Sequence, residues 1–379
     1  MSNVTQDHGR ARTRAAAHPK LLLFASILVA TACDDEGRGE SGAGAGTAAN
    51  GGADSTGQGP GTSQGSTTGQ GGTTSQGSTT GQGGSSTSSA GSGGGGGPDI
   101  QDPGTMTSDS RIYTTDGTEY VIDEVGDAFA HAAASATDNL VFYVHGRGCG
   151  GGGEPQKSLS EAMPELESDY GSRAILFNWQ GSDVGCPLGF PEDQARAAGP
   201  AFAHTLHKLA FYKATHPGAF TGLKLTLITH SMGSFLLEEA MLTNATPLPA
   251  TLFDTAMIGS AASARATHAA WVSQVALSPV LYVSLNAGDN VLTAASALGG
   301  VRLGKNVDGE PLAANALYVD FSASSVNHAY YLHGGQDGAH MTAFYDTIMN
   351  GLVFDFQSAA GIASVEARDG TFVYHFDGQ

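Results

Sequence analysis

The stretch from Leu223 to Phe235 constrains the fold of this chain more than any other. An apolar, strand-like run reaches Ile228 and passes through Thr229, His230, Ser231, Met232 and Gly233. From Ser234 to Leu242 the apolar residues then recur with helical spacing. The reading is a strand, a tight turn and a helix, with a serine at the turn. Small residues must flank that serine, because backbone crowding at such a turn leaves no room for larger ones. Gly233 meets the requirement, and Thr229 is a mild departure from it.

The rest of the folded region repeats this alternation. Arg111 to Asp123 reads as a β-hairpin turning at Asp116 and Gly117. Strands are predicted at Leu140–Val144, Ala174–Asn178, Thr251–Ile258, Val280–Leu285 and Leu317–Phe321, and helices near 154–170, 192–214, 264–274, 290–298 and 339–352. Strands alternating with helices predict an α/β fold, a mostly parallel central sheet with helices on both faces. In such sheets ligands bind outside the carboxyl ends of the strands, which is where Ser231 falls. The tail from Val353 to Phe376 reads as short strands around a turn at Arg368, Asp369 and Gly370, with no placement implied.

Composition decides the N-terminal quarter. Of 379 residues 55 are glycine, and the excess lies between Gly37 and Gly97, where almost no large apolar side chain offsets the entropy of ordering. A repeat that starts at Ser63 starts again at Ser75. Residues 33–107 therefore read as a disordered Gly/Ser/Thr-rich linker and 108–379 as one folded domain. Ahead of the linker, Arg10, Arg12, Arg14 and Lys20 precede the apolar run Leu21–Ala30. That run is about half the roughly 20 residues of a membrane-spanning helix, so 1–32 reads as a signal peptide. Ala30, Thr31, Ala32 and Cys33 resemble the lipobox of bacterial lipoproteins, which implies a lipid on Cys33 and a membrane contact through that anchor alone. An ordinary secreted product is the alternative. With Cys33 lipidated, Cys149 and Cys186 remain as a candidate disulfide in an oxidising compartment, against two free thiols. The formal charge of -19 and the lack of a Lys/Arg stripe argue against a nucleic-acid partner.

A serine hydroxyl is a weak nucleophile until a base takes its proton, and the base needs a carboxylate to fix its tautomer and stabilise its charged form. With Ser231 as candidate nucleophile, Asp289 follows the strand ending at Leu285 and His328 follows the strand ending at Phe321. The chain order is serine, aspartate, histidine. Asp254 is a substitute acid inside an apolar run, and His333 and His340 compete with His328 as base. The plain alternatives are an N-cap serine and a helix-capping aspartate. His204 and His207 sit at helical spacing beside Phe202 and Leu206 and read as packing or surface residues. No Cys/His cluster has zinc-site spacing and no Gly-rich loop matches a nucleotide fingerprint, so neither metal nor cofactor is expected.

Five segments carry a resemblance. They are His145-Gly146, Phe177-Asn178-Trp179, His230-Ser231-Met232-Gly233, Tyr282-Val283-Ser284 before Asp289-Asn290-Val291-Leu292, and Asn327-His328-Ala329-Tyr330. With them the region from about Leu140 to Leu352 resembles the α/β-hydrolases, and among these a bacterial group of uncharacterised function. One extra residue separates Ser284 from Asp289, and Asn327 stands where that group has glycine. The resemblance implies a serine esterase working through an acyl-enzyme on a small-molecule ester. It also implies an oxyanion hole from the backbone N–H of Met232 and that of Arg147 or Gly148. Amide hydrolysis or acyl transfer on the same residues stays open, as does a surface binding module with a vestigial site. About 20 residues, Gly259 to Pro279, separate two strands where a lid is often inserted, so no large lid is expected. Trp179 to Phe190, with Tyr330 and Tyr331, are expected to wall a moderately apolar cleft.

Overall fold

The computed structural model describes residues 100–135, 138–148, 154–180, 190–324, 327–332 and 338–379. The expected signal peptide, Cys33, most of the linker, Cys149, Cys186 and His333 lie outside these residues.

Among the described residues ten strands form one sheet: β1 (Arg111–Thr114), β2 (Glu119–Val121), β3 (Asn139–Val144), β4 (Arg173–Asn178), β5 (Lys224–His230), β6 (Thr255–Gly259), β7 (Leu281–Leu285), β8 (Ala316–Asp320), β9 (Ile362–Arg368) and β10 (Thr371–Phe376). Their order across the sheet is β2-β1-β4-β3-β5-β6-β7-β8-β10-β9. The run from β4 to β8 is parallel throughout, β10 continues it in parallel, and antiparallel strands close both edges. Parallel strands covered on both faces have no polar side, which is why β3, β5, β6 and β7 are almost wholly buried.

Period-two alternation sends Leu140, Phe142 and Val144 to one core and Val141 and Tyr143 to the other. Helices α1 (Val125–Ala133), α4 (Gly199–Thr215), α5 (Gly233–Thr243) and α6 (His268–Val272) cover the first face, through Phe129, Phe202, Leu206, Phe235 and Trp271. The second face is covered by α2 (Met163–Tyr170) and α8 (Ala339–Met349), through Leu166, Phe344, Tyr345 and Ile348. The short α3 (Glu192–Ala197) precedes α4, and α7 (Asn290–Gly299) follows β7.

Some elements differ from their sequence reading. The helix expected over 192–214 is two helices, because Pro200 starts a new one at the first turn of α4, where its missing N–H costs nothing. The helix expected over 154–170 begins with a π-helical turn, Ser158–Ala162. The strand expected from Thr251 starts at Thr255. Docking onto the domain begins ahead of Ser108: Lys208 pairs with Asp102 at 2.7 Å, and the Met106 N–H donates to the Asp123 carboxylate. The tail is not an appendage, since β10 extends the sheet beside β8.

Candidate active site

Three strand ends build the site. At the carboxyl end of β5 the chain reverses at Ser231, whose φ of +51° lies in the left-handed region that non-glycine residues avoid. That backbone costs about 1–3 kcal/mol and persists only where the surroundings fix it. Four hydrogen bonds do so. The Ser231 N–H donates to the Gly259 carbonyl (2.9 Å), and the Ser231 carbonyl accepts from the N–H groups of Ala262 (3.0 Å) and Ser234 (3.1 Å) and from the Ser234 hydroxyl (2.7 Å). Two glycines make room for the turn. A Cβ on Gly146 would stand 2.7 Å from the Ser231 Cβ, and one on Gly233 would stand 2.8 Å from the Val144 carbonyl oxygen. Strand, left-handed serine and helix in succession, in a sheet of this order, decide the architecture. The fold is that of an α/β-hydrolase.

The carboxylate sits after β7. Asp289 is fully buried and is the N-cap of α7; its Oδ1 accepts from the Leu292 N–H at 2.8 Å, and its Oδ2 lies 2.7 Å from His328 Nδ1. One side chain thus caps a helix and holds an imidazole. The extra residue in this loop is absorbed by a turn in which Asn286 Oδ1 accepts from the Gly288 N–H and the Asp289 N–H donates to the Asn286 carbonyl. Asn286 Nδ2 donates to the Asn327 carbonyl at 3.1 Å, joining the aspartate and histidine loops. Lys305 closes the turn from outside through the Ala287 carbonyl (2.7 Å). Burial pushes its ammonium below the usual lysine range, with Asp289 pulling the other way.

His328, after β8, is 3% exposed. With Nδ1–H donated to Asp289, Nε2 is left as the basic nitrogen of the ring. Asn327 Oδ1 accepts from the His328 N–H at 2.6 Å, so an asparagine in place of glycine supplies a clamp. The Ser260 hydroxyl donates to the His328 carbonyl (2.6 Å), and the Ser260 N–H donates to Ser284 Oγ (3.2 Å), which also accepts from the Tyr330 hydroxyl (2.8 Å). Burial pushes the Tyr330 hydroxyl well above the ordinary tyrosine range and keeps it a donor. Ser260 follows Gly259, the acceptor of the Ser231 N–H, so this network joins the serine turn to the histidine loop. The rings of His230 and His328 are 4.8 Å apart, centre to centre. Sequence reasoning gave no role to Ser260, Ser284 or Asn286; for Ser260 the one local signal was a run of small residues directly after β6.

Met232 is the N-cap of α5, so its N–H has no intrahelical carbonyl to serve. Gly148 is buried and Arg147 half-buried, on the loop that brings Gly146 against the serine. His145 stacks on Trp179 at 5.3 Å, and its Nε2 accepts from the Trp179 N–H at 3.2 Å. Its Nδ1 therefore carries the proton, donated to the Gly146 carbonyl at 2.7 Å, which fixes the peptide leading into Arg147.

No family model matches the chain. No curated protein matches it. Among solved structures it is similar to an ester hydrolase from the metagenome of Lake Arreo, complexed with a bipyridine phosphonate derivative, at 15% identity over 58% of this chain and 75% of that one, with a TM-score of 0.30. It is similar to an esterase/lipase from an uncultured bacterium at 13% identity over 64% and 68%, TM-score 0.23. It is also similar to a Trichoderma reesei cutinase in complex with a phosphonate inhibitor, at 14% identity over 60% and 84%, TM-score 0.20. At that distance the likenesses say nothing about the roles of individual residues.

The other sequence candidates stand elsewhere. Asp254 is tied to Lys224 and the Leu225 N–H, at the amino end of β5. His340 pairs with Asp377 near the C-terminus at 2.9 Å. His204 pairs with Asp123 (2.6 Å), and His207 contacts Asn244 (3.1 Å). Among the described residues no group of three or more His, Cys, Asp or Glu side chains could hold a metal ion. The expected apolar walls need correction. Trp179, Tyr330 and Tyr331 are each at most 2% exposed, spent on core stacking and hydroxyl pairs, and 181–189 lie outside the described residues. A pocket beside Gly146 and His230 has a mixed lining, in which Tyr143, Ala162, Ala329 and Leu332 stand with Arg147, Lys157, Glu154, Glu161 and Glu165.

Proposed function

We propose that this chain is a serine hydrolase that cleaves carboxylic esters through an acyl-enzyme, exported and held at the cell envelope by a lipid on Cys33. Two observations support the reading: a left-handed Ser231 between β5 and α5, and a buried Asp289–His328 pair on the loops after β7 and β8. Ser231 Oγ attacks the ester carbonyl carbon while His328 Nε2 takes its proton, and Asp289 holds the imidazolium that forms. The N–H of Met232 and that of Arg147 or Gly148 receive the developing oxyanion. His328 then gives its proton to the leaving alkoxide, and water repeats the sequence on the acyl-serine. No cofactor takes part. A pocket with this mixed lining suits esters of modest acyl length better than bulk triglyceride. In this reading a Cys149–Cys186 bridge stiffens the Gly-rich loop, and a mass shift of the two cysteines on reduction checks it.

Fluorophosphonate labelling of the full chain tests the reaction. Labelling is expected at Ser231 and absent in Ser231→Ala; labelling that survives the substitution, or none in the unsubstituted chain, overturns the proposal. A panel of p-nitrophenyl esters of rising acyl length, with matching anilides, then sets ester against amide hydrolysis.

A further inference from the structure

A short segment ties two loops of the candidate site together. Residues 301–306, between α7 and β8, pass between the loop after β6 and the loop after β7, and Arg302, Leu303 and Gly304 are buried. Toward the first loop, the Leu303 N–H donates to the Ser263 carbonyl (2.9 Å) and the Gly304 N–H to the Ala261 carbonyl (2.9 Å). Toward the second, the Gly304 carbonyl accepts from the Asn286 N–H (2.7 Å). The approach at Gly304 leaves no room for a side chain, since a Cβ there would stand 2.4 Å from the Ala261 nitrogen and 2.5 Å from the Ser260 carbonyl carbon. One residue thus sits against both the serine side and the aspartate side of the site.

A cation stands at each end of this segment. The Arg302 guanidinium donates to the Ala262 carbonyl (3.1 Å), and the Ala262 N–H donates in turn to the Ser231 carbonyl (3.0 Å). The Lys305 ammonium donates to the carbonyls of Ala287 (2.7 Å) and Asp289 (3.3 Å) and to the Thr293 hydroxyl oxygen. Asp289 is the N-cap of α7 and Thr293 lies in its first turn, so the ammonium faces a helix N-terminus, where the macrodipole favours anions. A charge set against a local rule is expected at functional positions. Here the offsetting anion is Asp289, which favours the ammonium that burial opposes.

We propose that Lys305 is a positioning residue for the chemistry at Ser231: its ammonium holds the turn that presents Asp289, and its charge opposes protonation of His328. This role rests on the reading of Ser231, Asp289 and His328 as nucleophile, acid and base. The holding works through the backbone. Ala287 and Asp289 bracket Gly288, and with Thr293 as third acceptor a single Nζ fixes the turn to the helix that the turn opens. Asp289 is thereby kept where its Oδ2 meets His328 Nδ1, at 2.7 Å. The charge works through space. Protonation of His328 puts a second cation beside Asp289, and a cation already there disfavours it. With Lys305 in place, His328 stays a base to lower pH.

Other titratable groups also surround the ring. From the end of β5, His230 lies 4.8 Å from His328 between ring centres, with Tyr331 5.1 Å from His230. On the histidine loop, the Tyr330 hydroxyl feels the carboxylates of Asp289 and Asp320. From the β3 side, Arg147, Lys157, Glu154, Glu161 and Glu165 line the pocket that His230 borders. A substitution at Lys305 leaves the charge of each of these unchanged, so a moved titration of His328 reports the ammonium.

The full chain and three variants test this through kcat/KM on p-nitrophenyl acetate from about pH 5 to about pH 9, where the acid limb reports the base of the free enzyme. Lys305→Gln keeps a donor to the turn and loses the charge. Its acid limb is expected to move up by about 0.5 unit, less than the ~1–3 units commanded by a charge in direct contact. Lys305→Met loses donor and charge, and its kcat above the limb is expected to fall about tenfold with KM little changed. Lys305→Arg keeps both and is expected to keep the parent's limb and kcat. A role confined to stability would lower the melts and leave the limb in place. Should Lys305→Met fail to fold, the limb of Lys305→Gln decides. An unmoved limb in Lys305→Gln, or a kcat within about twofold of the parent in Lys305→Met, overturns the assignment. Failure of the serine chemistry is read separately, as no fluorophosphonate labelling of Ser231 in the unsubstituted chain. The His328 ring titration, followed by NMR and assigned by its loss in His328→Gln, then decides on Lys305 without turnover: the same upward shift in Lys305→Gln is expected, and no shift overturns it.

Discussion

Ser260 shows how single residues carry the geometry here. It is fully buried, is not glycine, and holds φ at +45°, so two of the four non-glycine residues with positive φ among the described residues, Ser231 and Ser260, stand on adjacent loops joined by the bond from the Ser231 N–H to the Gly259 carbonyl. Strain of this kind is retained where the surroundings dictate it, and here they fix the depth of His328 through its carbonyl. Ser260→Ala leaves that buried carbonyl without its donor, at about 1–3 kcal/mol. We expect kcat on a short p-nitrophenyl ester to fall about tenfold, equivalent to 1.36 kcal/mol in the barrier, with KM little changed. Ser260→Gly separates strain from hydroxyl: it is expected to lose the same activity while melting no lower than Ser260→Ala. Full activity in the glycine variant would assign the position to backbone conformation alone. Ser231 was legible in sequence because its turn is local. Ser260 was not, because its partner His328 lies 68 residues away.

At the scale of elements, the site depends on how closely the loop after β3 approaches the start of α5. A methyl group on Gly146 has no space beside the serine side chain, so Gly146→Ala is expected to cut kcat/KM at least about 100-fold, comparable to losing one oxyanion donor. Its melt should move far less than that of Gly233→Ala, whose Cβ meets backbone carbonyls and cannot be accommodated by a rotamer change. α5 also carries Glu238, whose carboxyl burial pushes above the usual range although Arg196 pulls it down. A raised folded-state pKa makes the protonated form the stabilised one. Its contribution is full below the unfolded value near 4.5 and is lost as pH rises through the higher folded value. Glu238→Gln removes that loss. The difference in melting temperature, variant minus parent, is therefore expected to increase from about pH 4 to pH 7, and a flat difference would contradict it. Elements with local signals were legible: β5 and α5 from periodicity, the hairpin turn from Asp369 and Gly370. The π-helical turn before α2 had no such signal, and the break between α3 and α4 had only Pro200, inside an amphipathic pattern that runs on across it.

For the whole molecule, the parallel core followed from sequence because each buried strand is a short apolar run between helices. The position of the C-terminal hairpin did not, since the β8–β10 pairing is a contact between residues about 55 apart with no turn to announce it. That placement makes the tail structural. Phe376, 2% exposed, stacks against Phe321 at 4.9 Å and Phe344 at 5.9 Å, whereas Phe372 on the same strand is 43% exposed. Removing a buried phenylalanine side chain costs about 3–5 kcal/mol, and removing an exposed one stays within about 0.5 kcal/mol. In a domain of this size each kcal/mol moves the melting temperature by roughly 2–4 °C. Phe376→Ala is thus expected to lower it by roughly 10 °C, while Phe372→Ala leaves it nearly unmoved. Phe321 precedes the loop that carries His328, so loosening Phe376 should also reduce activity below the melt, in proportion to the mobility given to that loop. Equal and small shifts in both variants would mean that the hairpin sits on the sheet without belonging to its core. The large shift confined to Phe376 would make the C-terminus a wall of the site's foundation.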